Sequence, residues 1–431
     1  MLRKRIQLGL IHVAVAMTLV PINSTLNRVM IHELALSATL VALLASLPYL
    51  FSPIQVAIGS YSDRHPLFGL RRTPYIALGL ILCAAGVIVS PQVAFILSEN
   101  FGLGILVSAL AFGAWGMGYN LSSVSYLALA SELSDEKSRG KTIATMWFMM
   151  IVGIIVTAIG ISRMVEPYSA DALQRSFWTV GLFALTLGLI ALLGLEPRAA
   201  DASPASENYT FRQMADTILS NRPATIFFFY LLLLLAAILG QDVLLEPFAA
   251  EAFGLTVQQT TRITSIWGGC VLLAILVAGA LEGRLAKRLV AQVGNLGALA
   301  GFIVIVFSAF AGGLTLFYTG VMLLGLGTGL STVANLSLMF DLTAPGKVGL
   351  FIGAWGFSNA LSRLTGSVLG GVVRDVATQI TQNAVIGYVV VFSIEALLLV
   401  VAASLIYRID VSAFKAKAEA PSVVERAAIA D

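Results

Sequence analysis

The sequence predicts an all-α polytopic membrane protein with twelve transmembrane helices arranged as two six-helix repeats. Three observations predict it: the apolar composition, the spacing of the apolar segments and an internal repeat. The chain has 431 residues, of which 58% are hydrophobic and only 11% are charged, whereas a soluble domain carries about a quarter charged residues. The lipid bilayer is therefore an expected partner. The formal net charge of +3 is small, and no nucleic-acid partner is expected.

The candidate spans follow from length, because a helix needs roughly 20 mainly apolar residues to cross the hydrocarbon core. They begin near Leu8, Ala38, Pro74, Gly102, Thr142, Gln174, Ala224, Ile263, Leu289, Thr315, Gly349 and Ala384. One long polar stretch divides them six and six. The predicted organisation is an N-terminal half at 1–195, a central loop at 196–223, a C-terminal half at 224–407 and a tail at 408–431.

Lysine and arginine residues are concentrated in alternate loops, together with the chain start, the polar stretch and the tail. Loops that keep an excess of Lys and Arg stay on the cytoplasmic side. Both termini and the central loop are therefore predicted to be cytoplasmic. The basic start "MLRKR" precedes an apolar run without a small-residue cleavage site, so the first helix is expected to remain as an anchor.

The two halves contain a repeated segment. The stretch Gly116 to Gly140 aligns without a gap to Gly325 to Gly349, and the matches include Gly118 with Gly327 and Ser122 with Ser331. Two six-helix halves in one orientation, related by an axis along the membrane normal, are the layout of the major facilitator superfamily.

A loop motif follows the second predicted span, "GSYSDRHPLFGLRRTP" at 59–74. It resembles the cytoplasmic signature of that superfamily in Gly59, Asp63, Arg64, Gly69, Arg71 and Arg72. Asp63 is expected to bind a neighbouring helix end or an arginine. A role in structure and membrane topology explains the motif better than a role in gating transport. A protein that does not alternate between conformations would keep such a loop as well.

A polar patch lies at the far end of the first span, in Asn23, Ser24, Thr25, Asn27 and Arg28. A charge within the bilayer is costly unless it faces the bundle interior or a partner. On the seventh span, Asp242 and Glu246 are four residues apart and share a helix face. The sequence thus predicts an ion pair between Arg28 and Asp242 or Glu246. The alternative is that these side chains reach the water interface without pairing.

A second predicted pair lies deeper in the C-terminal half. Asn359 and Arg363 share a face of the eleventh span, and Glu395 lies at matching depth on the twelfth. The simplest role for an Arg363–Glu395 pair is to fix helix packing, and proton coupling is the alternative.

His12 lies near the start of the first span, where an imidazole could ligate the magnesium of a tetrapyrrole. The alternative is an ordinary interfacial histidine. The sequence shows no catalytic triad, nucleotide-binding loop or protein-built metal cluster, so an enzyme is not expected.

Four stretches closely resemble one family. They are "STLNRVMIHEL", "LPYLFSPIQVAIGSYSDRHPLFGLRRTPYI", "GQDVLLEPFAAEAFGLT" and "GAWGFSNALSRLTGSVLGGVVRD". The chain resembles the PucC-type, or bacteriochlorophyll-delivery, family of the major facilitator superfamily from Ile6 to about Arg408. This resemblance implies an assembly factor for light-harvesting complexes in the inner or intracytoplasmic membrane of a phototrophic bacterium. The implied cargo is bacteriochlorophyll or a related chlorin, and the implied partners are antenna polypeptides or pigment-synthesis enzymes.

With that resemblance, the polar residues become candidates for binding pigment or lining the cleft between the halves. They are Asn23, Asn27, Arg28, Gln241, Asp242, Glu246, Asn359 and Arg363. Two other functions stay open. A proton-coupled transporter of a small solute would need a titrating acid, for which Glu395 or Asp242 is the candidate. A scaffold would dock antenna polypeptides without binding pigment.

Overall fold

The computed structural model describes residues 2–134, 136–198, 211–281, 284–343, 348–412 and 414, and these form helices joined by short connections. The first half contains α1 Leu2–Val20, α2 Ala38–Ala45, α3 Leu47–Leu50, α4 Ile54–Arg64, α5 Thr73–Glu99, α6 Phe101–Glu132, α7 Glu136–Met164 and α8 Ala170–Leu192. The second part contains α9 Phe211–Leu219, α10 Arg222–Gly240, α11 Leu245–Phe253, α12 Val257–Ala280, α13 Lys287–Ala311, α14 Leu314–Asp341, α15 Val348–Thr381 and α16 Ala384–Leu405.

Several sequence predictions fall partly outside the described residues. They concern 199–210 of the central loop, positions 135 and 344–347 of the repeated segments, and 413 and 415–431 of the tail. Within the predicted central loop, the structure places the short helix α9.

Among the described residues, ten helices are long and apolar enough to cross a membrane. The two predicted spans that do not meet this criterion have identifiable causes. The span near Ala38 is divided into α2, α3 and α4, where Pro48 and Pro53 interrupt the helix. The span near Gly349 is α15, which is 34 residues long but carries Arg363 and Asp375 within its length. The count of twelve spans stays a prediction.

The break after α3 leaves a backbone carbonyl that needs a partner, because the bilayer core offers no water. Asn120 of α6 supplies it: its Nδ2 donates to Pro48 O at 2.8 Å and to Gly116 O at 2.7 Å. Its Oδ1 accepts from Gln55 Nε2 at 2.5 Å. The interrupted helix is thereby held against α6.

Two helix crossings have the same close geometry in the two halves. A Cβ added at Gly79 of α5 would lie 2.3 Å from Ser122 Oγ of α6. A Cβ added at Gly294 of α13 would lie 2.5 Å from Ser331 Oγ of α14. Ser122 and Ser331 are aligned positions of the repeated segment, so the same small residues allow the same close approach.

The helix that begins with α1 does not stay α-helical. It continues as two π-helical segments, Pro21–Leu26 and Val29–Glu33. The α-helical part packs mainly against α7 and α8 of its own half, whereas the π-helical segments also contact α11 and α12 of the other half. Short π-helical segments are rare and frequently occur at functional sites. The polar patch of the sequence lies in this part of the helix.

Candidate functional site

One face of α15 lines the space between the two halves. A Cβ at Gly366 would lie 2.4 Å from a backbone oxygen of α10, and one at Gly371 would lie 2.8 Å from a backbone oxygen of α2. Helical periodicity places Gly356, Asn359 and Arg363 on the face between those two contact lines. Gly356 and Asn359 are exposed, and a Cβ at Gly356 would meet nothing within 4 Å.

Arg363 joins three elements at the centre of this face. Its Nη1 lies 3.4 Å from Asp242 Oδ2 and donates to Tyr49 Oη at 3.2 Å, and its guanidinium carbon is 5.3 Å from the Tyr49 ring centre. Gln241 Nε2 donates to Asp242 Oδ1 at 2.9 Å. The side chains of Arg363 and Asp242 are 29% and 26% exposed. The Arg363 cluster, meaning Arg363, Asp242, Gln241 and Tyr49, therefore bridges the halves and stays accessible.

Asp242 reaches Arg363 because the helix changes course at this point. α10 ends at Gly240, a 3-10 turn covers Gln241–Val243, and α11 begins at Leu245. Tyr49 comes from the interrupted second span of the first half. Sequence reasoning missed Tyr49, although the proline at position 48 marked the interruption that brings it to the site.

The predicted pair of Arg28 with Asp242 or Glu246 is wrong. Arg28 pairs with Glu33, and its Nη2 donates to Leu255 O at 3.1 Å. Arg28 is only 3% exposed. Glu33 is five residues further along, which is the spacing that π-helical hydrogen bonds connect. The carboxylate that pairs with Arg28 therefore comes from its own helix, and the facing half contributes only the backbone oxygen of Leu255.

Glu246 is held by hydroxyl groups instead. Its Oε1 accepts from Ser24 Oγ at 2.5 Å and from Thr264 Oγ1 at 2.7 Å. Beside it, Thr25 Oγ1 and Thr261 Oγ1 are 3.1 Å apart. The polar patch thus forms a hydrogen-bonded seam between the first helix and the second half. Ser24 and Thr25 form that seam; the sequence analysis placed them in the polar patch but did not select them as candidate binding residues.

Asn23 and Asn27 have a more local role than predicted. Asn27 Nδ2 donates to Asn23 O at 3.1 Å, one turn back on the same helix. The Asn27 side chain is buried and its Oδ1 has no hydrogen-bond partner among the described residues. Neither asparagine reaches the Arg363 cluster through the contacts seen here.

A further inter-half contact lies at the same end of the molecule. Asp375 of α15 accepts from Ala38 N at 3.1 Å, Thr39 N at 2.8 Å and Thr39 Oγ1 at 2.7 Å. Arg374 Nη1 lies 3.0 Å from Asp375 Oδ1. A carboxylate at the first turn of α2 satisfies free N–H groups and complements the helix dipole. Asp375 therefore caps a helix of the other half.

The predicted pair of Arg363 with Glu395 is also wrong. Glu395 lies behind the Arg363 cluster, where a Cβ at Gly240 would be 3.0 Å from its Oε1. Neither carboxylate oxygen has a hydrogen-bond partner among the described residues. Arg363 instead extends toward the space between the halves, where Asp242 and Tyr49 meet it.

His12 lies inside the first half. Its ring centre is 5.1 Å from that of Tyr126 and 5.7 Å from that of Trp147, in α6 and α7. The side chain is buried and its Nδ1 has no hydrogen-bond partner among the described residues. Over those residues, no group of three or more His, Cys, Asp and Glu could hold a metal ion. Ligation of a tetrapyrrole by His12 stays a prediction.

The loop motif at 59–74 is built around Arg72. Its guanidinium donates to Ser62 Oγ at 2.7 Å, Asp63 Oδ1 at 2.5 Å and Glu132 Oε1 at 2.8 Å. Arg71 adds a longer contact of 3.9 Å to Glu132. These contacts tie the end of α4, the start of α5 and the end of α6 into one unit.

The remaining members of the motif have separate tasks. Glu196, just after α8, accepts from the backbone N–H groups of Arg71 at 2.8 Å and Thr73 at 2.7 Å, and thereby caps α5. Gly69 has a φ of 75°, which favours glycine. Arg64 is exposed, and a Cβ at Gly59 would lie 3.6 Å from α6.

The arrangement described above can be compared with known proteins. A family model described as PUCC protein matches residues 25–414. The chain belongs to the PucC family. Protein PucC of Rhodobacter capsulatus is 32% identical over 420 residues, which cover 93% of this chain and 91% of that protein. The bacteriochlorophyll synthase 44.5 kDa chain of the same species is 30% identical over 424 residues and 97% of each chain.

Solved structures give the fold of this PucC-family protein. A point mutant of the nucleoside transporter NupG superposes with a TM-score of 0.73 at 17% identity, over 94% of this chain and 99% of that one. The sequence prediction of an all-α polytopic protein with the major facilitator fold is thereby confirmed.

The pairing in this PucC-family protein can be tested by a double-mutant cycle. Arg363→Gln and Asp242→Asn are expected to be non-additive, with a coupling of about 0.5–3 kcal/mol, because their side chains touch. Arg28→Gln combined with Asp242→Asn is expected to be additive, since each group has other partners. The free energy of unfolding by denaturant in detergent would be measured. Additive effects for Arg363 and Asp242 would contradict the structure.

Proposed function

We propose that the chain binds bacteriochlorophyll or a related chlorin between its two halves and presents it during assembly of light-harvesting complexes. It acts as a binding protein of the photosynthetic membrane rather than as an enzyme. The PucC and bacteriochlorophyll synthase names of its relatives support the pigment class. The observation that carries the proposal is the α15 face, where exposed glycine and asparagine lie beside the accessible Arg363 cluster.

The chemistry of this face suits a flat amphipathic ligand. A chlorin presents a large apolar ring with carbonyl oxygens at its edge, and these accept hydrogen bonds. The partly exposed Arg363 and the exposed Asn359 are donors, and Gly356 leaves room for a ring to approach the helix backbone. Ligand sites of this fold lie near the middle of the bilayer between the repeats. Because a chlorin is too apolar to diffuse through water, a carrier in the membrane has a physical purpose.

The structure divides the predicted binding residues into two groups. Asp242, Asn359 and Arg363 lie on the accessible face of the cleft, and the buried Gln241 donates to Asp242. Arg28 and Glu246 are buried in the seam between the halves, where Arg28 pairs with Glu33 and Glu246 accepts from Ser24. We assign pigment binding to the first group. The seam residues hold the two halves together at one end.

The experiment uses a deletion strain of the phototrophic bacterium that carries the gene. It is complemented with the wild type, Asn359→Leu, Arg363→Gln or a control, Gln379→Leu, which changes an exposed polar residue at the far end of α15. Antenna absorbance of the cells and chlorin absorbance of the purified protein are measured.

The deletion is expected to lower assembled antenna without affecting growth that needs no light. Asn359→Leu removes one hydrogen bond, about 0.5–1.5 kcal/mol, and should weaken pigment binding roughly two- to tenfold. Gln379→Leu should behave as the wild type.

Three outcomes would redirect the proposal. Normal antenna in the deletion strain, with no related protein to substitute, would defeat the assembly role. A defect in uptake or efflux of a soluble compound would favour a proton-coupled transporter. Loss of antenna with a purified protein that never carries chlorin would favour a scaffold that docks antenna polypeptides.

A further inference from the structure

Glu395 is a carboxyl group buried in the second half without a partner. It is 4% exposed, and neither of its oxygens has a hydrogen-bond partner among the described residues. The carboxyl lies against the backbone where α10 meets α15: the Cβ position of Gly240 is 3.0 Å from Glu395 Oε1 and 3.1 Å from the carbonyl carbon of Gly366. An ionised carboxylate in this position would have neither a donor nor a counter-ion.

The Arg363 cluster lies directly beside this carboxyl. Arg363 is one turn before Gly366 on α15, and Asp242 follows Gly240 by two residues. The neighbourhood therefore contains two carboxyl groups and one guanidinium. In the structure, the Arg363 guanidinium pairs with Asp242. The second carboxyl is left without positive charge.

Other charged groups on the elements packed against α16 either have partners or, like Arg222 and Arg408, lie exposed at helix ends. On α11, Glu246 accepts two hydroxyl hydrogen bonds, and Glu251 lies 3.0 Å from His32. On α15, Arg374 lies 3.0 Å from Asp375 and 4.8 Å from the Tyr388 ring centre. On α13, Lys287 lies 2.7 Å from Asp341, and Arg288 donates to Ile409 O. Tyr230 of α10 donates to Asn335 Oδ1 at 2.9 Å.

We propose that Glu395 and Asp242 share one proton, and that the position of Arg363 determines which of the two carboxyl groups holds it. With Arg363 on Asp242, the proton resides on Glu395, because an unpaired ion in an apolar interior is far more costly than a neutral acid. The O–H of the neutral acid needs only one acceptor, and helix carbonyls at this junction have a second lone pair.

The exchange is balanced in charge and protons. When Arg363 turns from Asp242 to Glu395, the O–H bond on Glu395 breaks and one forms on Asp242. Arg363 keeps its charge throughout, so the cluster remains neutral overall. A ligand group that displaces Asp242 from Arg363 would thus move a proton. The site is a proton-binding site, whether or not the cleft also holds pigment.

The test is infrared spectroscopy of the purified protein reconstituted in lipid. At neutral pH the wild type should show the C=O stretch of a protonated carboxylic acid, shifted on exchange into D₂O. That band should disappear in Glu395→Gln. The matched control is Glu246→Gln, which alters another buried glutamate of the same half and should leave the band in place.

Two further variants test the role of Arg363. Asp242→Asn frees the guanidinium, so Glu395 should ionise and its band should be lost. In Asp242→Asn/Arg363→Gln the guanidinium is absent, and the band should return. Circular dichroism and size-exclusion chromatography would establish that each variant is folded. A wild type without the band, a band that survives in Glu395→Gln, or one that is unchanged in Asp242→Asn would overturn the proposal.

Discussion

Replacement of Arg72 by glutamine is expected to prevent accumulation of the folded protein in the membrane. The guanidinium holds Ser62, Asp63 and Glu132 together, and Arg72 is buried. Breaking a buried ion pair costs about 3–5 kcal/mol, and the 35% exposure of Glu132 favours the lower end of that range. This is still a large part of the roughly 5–15 kcal/mol that stabilises a typical domain.

The measurement is the amount of monodisperse protein extracted from membranes, together with its melting temperature. Arg64→Gln is the matched control, because Arg64 ends α4 in the same loop motif but is exposed. Arg72→Lys should recover only part of the loss, since an ammonium group cannot reproduce the planar fork of donors. Equal abundance of Arg72→Gln and Arg64→Gln would show that this cluster does not hold the first half together.

Gly118→Ala should be the second strongly destabilising change. The added methyl carbon would lie 2.6 Å from Gly79 O and 2.7 Å from Cys83 N, which are backbone atoms of α5. Backbone atoms cannot move aside as a flexible side chain can, so the two helices must separate. Overpacking typically costs about 1–3 kcal/mol, and we expect the upper end.

The same helix supplies the control for this substitution. A Cβ at Gly113 of α6 would meet nothing within 4 Å. Gly113→Ala should therefore stabilise the helix by about 1 kcal/mol through its higher helix propensity. Denaturant unfolding in detergent measures both variants. If Gly113→Ala destabilised as much as Gly118→Ala, the clash at the α5–α6 crossing would not explain the effect of Gly118→Ala.

Features that depend on composition or on small residues could be predicted from the sequence. Apolar length identified the helices that cross the membrane, because the bilayer imposes one thickness on all of them. The repeated segment identified aligned positions such as Ser122 and Ser331, and both of these meet a glycine of the preceding helix. Close packing selects small residues, and small residues are visible in a sequence.

The pairing of the polar groups could not be predicted in the same way. The expected partner of Arg28 was chosen by assuming continuous α-helices, but the π-helical segments bring Glu33 to Arg28. The expected partner of Arg363 was chosen by depth in the bilayer alone. Arg363 lies on the face of α15 that is directed toward the other half, and the turn after Gly240 brings Asp242 to it.

Two contacts that arise where helices end were missed. Tyr49 belongs to a four-residue helix, and Asp375 caps a helix from the opposite half. Hydropathy indicates that a segment crosses the membrane, but it does not indicate where the segment bends. A side chain that caps the end of another helix does not produce a periodic pattern in the sequence.

The π-helical segments also give the first helix a torsional freedom. Each π-helical turn contains one more residue than an α-helical turn, and one residue corresponds to about 100° of rotation in an α-helix. Conversion of one such turn to α-helix would rotate every later side chain about the helix axis without unfolding it. Ser24 and Arg28 would then face new neighbours. Such a rotation would break the hydrogen bond from Ser24 to Glu246 in the seam between the halves.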